Sequence, residues 1–184
     1  PIDLDFGVIN KKSKRYFVKS IWLFEAQMAS ILIFGSINPF LTIKQVNLNN
    51  IDISSVNYLI LVRLWNTYSE LCKFYSSATE SQDELKHVYL RNILDVLTVY
   101  LPWEKVLVCG YKARLKAFEN LDDQRNLLLT NKKIFRTTTD WKLSGRSQIS
   151  LACLKGQFLE LYNLMNKKRP LRSKPSLAFF IRGK

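Results

Sequence analysis

The chain has 184 residues, with 28 Lys and Arg against 15 Asp and Glu, a single His and a net charge of +13. Hydrophobic residues make up 47% and charged residues 23%, which excludes a largely disordered chain and allows one domain to fold without metal or disulfide. With only six Gly, there is little material for loops that cradle phosphates.

Residues 1–15 read as a basic N-terminal arm ending in Lys11, Lys12, Lys14 and Arg15. Tyr16, Val18, Trp22 and Phe24 then fall on alternate positions, which predicts a strand, although Glu25 to Phe34 also suits a helix. Asn38-Pro39 marks a turn. Beyond it, Leu41/Ile43, Val46/Leu48 and Ile51/Ile53 are alternating pairs whose phase slips, the pattern of half-buried strands with a bulge.

Ser54 or Ser55 can cap the next element, in which Val56, Leu59, Ile60, Leu64, Trp65, Tyr68, Leu71, Cys72 and Tyr75 recur at helical steps. Ser81 with Glu84 forms a capping box. The helix it opens carries Leu85, Val88, Tyr89, Val96, Leu97 and Tyr100, ends before Pro102, and should pack antiparallel on its predecessor. Residues 103–119 suggest a third helix weakened by Gly110. Thr137 to Asp140 reads as a loop, and residues 147–166 as a helix with Leu151, Leu154, Phe158, Leu161, Tyr162 and Met165 on one face. The predicted fold is a helix-rich α+β domain over residues 16–166, with N-terminal strands (about 15–53) packed on a bundle of four or five helices. Residues 167–184 form a basic linker and the apolar segment Ser176 to Ile181.

Nucleotide-binding, metalloprotease and hydrolase motifs are all absent. His87 shares a helical face with Asp83 and Arg91, an ordinary charge pattern. Glu104-Lys105 and Asp140-Trp141-Lys142 place acids beside lysines, as metal-dependent nucleases do, but Asp95, Asp122 and Asp123 have no spacing that joins them to a metal site. No catalytic, cofactor-binding or metal-binding residue is assigned, and no small-molecule substrate is expected. Cys72, Cys109 and Cys153 are odd in number and far apart, which suits small core residues in a reducing compartment, the cytoplasm or nucleus. Ile21 to Phe34 is too short to span a bilayer and contains Glu25 and Gln27; there is no secretory signal pattern. Pro1 is accommodated equally by removal of an initiator Met and by release from a precursor.

The charge is unevenly placed. Residues 1–44 carry a net +3, residues 45–104 a net −3, and residues 105–184 a net +13. An asymmetry of this kind suggests an anionic partner. Lys132, Lys133 and Arg136, then Lys142 and Arg146, then Lys167, Lys168, Arg169, Arg172 and Lys174 form three clusters. Trp141 beside Lys142 is the aromatic residue expected to stack on an unpaired base. These residues predict a non-enzymatic structural or assembly protein that binds nucleic acid, RNA before DNA, with homo-oligomerisation a further expectation. The run Lys167 to Arg172 also has the composition of a nuclear-import signal. The competing expectation is a peripheral membrane protein of matrix-like character, similar in general to small viral matrix proteins. It would bind anionic lipid through Leu177, Phe179, Phe180 and Ile181 and their flanking cations. A third is a module that docks on an acidic protein.

Overall fold

Ser20, which interrupts the alternating pattern, starts a helix instead of a strand. Its Oγ accepts a hydrogen bond from the Leu23 N–H at 3.1 Å, satisfying one of the donors that a first helical turn leaves open. In the computed structural model, which describes residues 20–29, 40, 44–76, 82–121, 131–145 and 149–168, helix α1 accordingly spans Ile21–Ala29. It buries Ile21, Leu23 and Phe24.

The expected strands about 15–53 are not found, and the α+β assignment is corrected to an all-helical one. Helix accounts for 81% of the structure, in six helices, with no strand among the described residues. The reason lies in polar side chains that occupy the backbone groups a ladder needs. Val46 N–H donates to Gln27 Oε1 at 2.9 Å, while Gln27 Nε2 donates to the carbonyls of Phe40 (3.2 Å) and Lys44 (3.3 Å). Asn47 and Asn50 then close a turn: Asn49 N–H donates to Asn47 Oδ1 at 3.0 Å, and Asn47 N–H to Asn50 Oδ1 at 2.8 Å. Asparagine offers the backbone such local bonds in competition with sheet pairing. Residues 15–19, 30–39 and 41–43 of that expectation lie outside the described residues.

Helix α2 spans Ile53–Ser76, and its cap is Asp52, with neither candidate serine in that role. Asp52 Oδ1 accepts from Ser54 N–H at 2.9 Å. Helix α3, Gln82–Trp103, carries Asp83 and Glu84 in its first turn, where carboxylates favour the helix dipole. It continues through Pro102. Its end is set by Lys105 at φ 63°, with Val106 N–H donating to the Leu101 carbonyl (2.9 Å) and Lys105 N–H to the Pro102 carbonyl (3.1 Å). That bond pair is a left-handed C-terminal cap, usually built on Gly.

The sequence of α3 from Asn92 onward is mostly apolar around its circumference, and every residue from Asn92 to Trp103 is buried. A helix of this kind belongs in the middle of a protein. Helices α2, α4 (Tyr111–Glu119), α5 (Lys132–Ser144) and α6 (Leu151–Lys168) pack around it. As expected, α2 runs antiparallel to α3: Asn57 meets Trp103, Arg63 meets Asp95, and Thr67 meets Asn92. Helix α6 runs parallel to α3, since Tyr89 packs edge-on against Phe158 at 5.3 Å and Lys168 lies over the Tyr100 ring. The far side of the core is a relay of rings, Tyr100 to Phe118 to Phe135, at 6.3 and 5.0 Å between centroids.

Candidate nucleic-acid interface

Gly110, at φ 89°, turns the chain into α4 and forms its N-cap, so it sits before the helix and does not weaken its middle. Helix α5 covers the Thr137–Asp140 stretch expected as a loop. The reason is that threonine hydroxyls bond backward: Thr137 Oγ1 donates to the Lys133 carbonyl and Thr138 Oγ1 to the Ile134 carbonyl, each at 2.9 Å. This back-bonding lets β-branched residues sit in a helix. Gly145 then closes α5 in the left-handed region at φ 71°, its N–H donating to the Trp141 carbonyl at 2.7 Å.

Helices α4 and α5 are antiparallel neighbours. Lys142 lies 6.0 Å from the Tyr111 ring at one end, while Phe118 packs on Phe135 and Arg136 Nε bonds Glu119 at 2.5 Å toward the other. At 3.6 residues per turn, Lys112, Lys116 and Glu119 fall on one flank of α4, so the Arg136–Glu119 pair places both lysines along the outer seam with α5. Lys112, Lys116, Lys133 and Lys142 are exposed. None of the four has an ion pair among the described residues.

The sequence-predicted residues meet different fates. Trp141 is corrected: it is helical and only 8% exposed, packed edge-on against His87 at 5.2 Å, and is no stacking platform. Lys132, Lys133, Arg136 and Lys142 all lie on α5, with Lys133 and Lys142 on opposite sides of the helix and Arg136 partly neutralised by Glu119. Lys167 and Lys168 end α6 elsewhere, against the end of α3, where Lys168 pairs with Glu104 and stands 4.7 Å over the Tyr100 ring. Arg146, Arg169, Arg172 and Lys174 lie outside the described residues, as does the apolar segment Ser176 to Ile181. Lys112 and Lys116 were not anticipated, although their spacing of four after Gly110 was a usable signal.

At the inner edge of this surface lies an ionic cluster drawn from five helices. Arg63 Nε of α2 bonds Asp95 Oδ2 of α3 at 2.5 Å, both side chains nearly buried. Burial pushes the Asp95 carboxyl up, against the pull of Arg63, Arg91 and Lys142. The Tyr111 and Tyr162 hydroxyls are raised by burial and by the Asp95 charge, so both phenols remain protonated donors at neutral pH. Of the acids weighed as metal ligands, the described ones do not converge. Glu104 is taken by Lys168, Asp95 by Arg63, and Asp140 is exposed on α5. Asp122 and Asp123 lie outside the described residues. No group of three His, Cys, Asp or Glu that could hold a metal occurs among the described residues. Two of the cysteines are not core residues: Cys72 and Cys153 are exposed, whereas Cys109 is half-buried against the core. No helix of the described residues is long and apolar enough to cross a membrane.

No protein family, curated protein or solved structure matches the chain.

Proposed function

We propose that the protein binds nucleic acid through the basic surface of α4 and α5, gripping the phosphate backbone without reading base sequence. The observation that carries this is the set Lys112, Lys116, Lys133 and Lys142, four exposed ammonium groups on adjoining helices with no ion pair among the described residues. Exposed cations displace counterions from a polyanion, which gives affinity that falls with salt. The burial of Trp141 removes the expected base-stacking group from this surface and leaves the contact mainly electrostatic. RNA is the first polymer to test, and the role is structural, without a catalytic step.

The test is a salt titration of binding to a labelled single-stranded RNA. The parent should lose affinity steeply as salt rises. Replacing all four lysines with Ala should flatten the log–log slope by about 3, at roughly 0.7 per phosphate contact on single strands. An affinity indifferent to salt, or a quadruple variant that binds like the parent, defeats the proposal.

A further inference from the structure

Helix α2 has two apolar faces, and among the described residues only one of them packs on α3. Val56, Leu59, Ile60 and Thr67 are buried toward α3. On the opposite side stand Tyr58, Leu61, Trp65, Tyr68, Cys72 and Tyr75, spaced three, four, three, four and three residues apart. That alternation averages 3.5 residues and keeps one stripe in line along a helix that winds about another. Trp65 is 68% exposed, Tyr68 59% and Tyr75 76%. At the other end of the row Tyr58 packs edge-on against Trp22 of α1 at 6.1 Å, which extends the stripe across two helices. Exposed aromatic area gathered in one patch marks an interaction surface.

We infer that this face is the seam of a homodimer, in which α2 of one copy pairs with α2 of a second. Charge selects the occupant. The positions flanking the row, Val62, Leu64, Ser69 and Leu71, carry no charge, and the nearby Glu70 and Lys73 neutralise each other at 2.7 Å. A two-fold pairing therefore brings no like charges together, and it asks for no complementary charge from a different partner. Elsewhere two copies repel, because residues 105–184 alone hold a net +13. Tyr and Trp are also the residues that anchor interfaces most strongly when buried. The row from Tyr58 to Tyr75 is about 26 Å long at 1.5 Å per residue. A two-helix seam of that length sits near the small end of stable interfaces, roughly 1,000 Å² in total, so the dimer should be of micromolar strength.

Sedimentation equilibrium of the full chain across the micromolar range tests this. The parent should pass from monomer to dimer with concentration and should dimerise as well or better in high salt, the opposite of the RNA contact. Trp65→Glu with Tyr68→Glu should weaken association by at least about tenfold, and Trp65→Ala alone by a smaller factor. Both side chains are exposed, so the thermal midpoint of the monomer should be unchanged. A parent that stays monomeric throughout, or a dimer that survives both variants, overturns the inference. RNA binding by the lysines of α4 and α5 is a separate readout and is expected to persist in the monomeric variant.

Discussion

Arg63 and Asp95 hold α2 to α3 at a place where hydrophobic contact would be the usual solution. Two charges have been removed from water to make that bond, and the raised Asp95 carboxyl shows that burial outweighs the pull of its three cations. Such a pair is costly to break and cheap to replace. Arg63→Ala and Asp95→Ala should each cost about 3–5 kcal/mol, because each deprives a nearly buried charge of its hydrogen-bonded partner. The double variant Arg63→Met, Asp95→Leu should fall close to the parent, and urea denaturation of the parent and the three variants measures the difference. Two comparably destabilising single changes with fully additive effects would mean the side chains act independently. Trp141 belongs to the same scale. Its substitution by Ala should unfold the protein more readily without altering the salt slope of RNA binding, since the ring packs on His87 away from solvent.

Two helix ends expose the cost of backbone conformation with opposite signs. Lys105 closes α3 and Gly145 closes α5, both in the left-handed region. A lysine there strains against its own backbone, and a Cβ added at Gly145 would meet the same strain although nothing else lies within 4 Å of it. Lys105→Gly should therefore gain and Gly145→Ala should lose about 1 kcal/mol, read as opposite shifts in thermal midpoint. At this scale the sequence was readable where apolar spacing was strong. The helices over 53–76, 82–103 and 151–168 follow their 3.6-residue patterns closely. It misled where polar side chains did the work of backbone partners: Gln27 and Asn47 took the bonds of a supposed strand, and the hydroxyls of Thr137 and Thr138 bonded back along a supposed loop that is helical. Apolar spacing on α2 was equally visible, but Trp65, Tyr68 and Tyr75 face outward because its inner face is partly polar. Of the candidate interface, the α5 cluster could be read from charge density. Its union with Lys112 and Lys116 depends on the pairing of α4 with α5, which no local pattern encodes.

Across the whole molecule, the two proposed contacts use physically different surfaces. The basic excess lies after residue 104, while α2 belongs to the acidic stretch before it. Between them stands α3, enclosed on all sides from Asn92 to Trp103. A helix surrounded in this way has no route to solvent that leaves its neighbours in place. Its amides should exchange with deuterated water only when the entire protein opens. Amides near Asn92 to Leu101 should thus be the slowest in the chain and share one opening free energy, equal to that of global unfolding. Those of α1 and the first turn of α5 should exchange sooner. Deuterium uptake followed by mass spectrometry or NMR would show the order. A fast-exchanging α3 would mean that the surrounding helices part from it well below the unfolding transition.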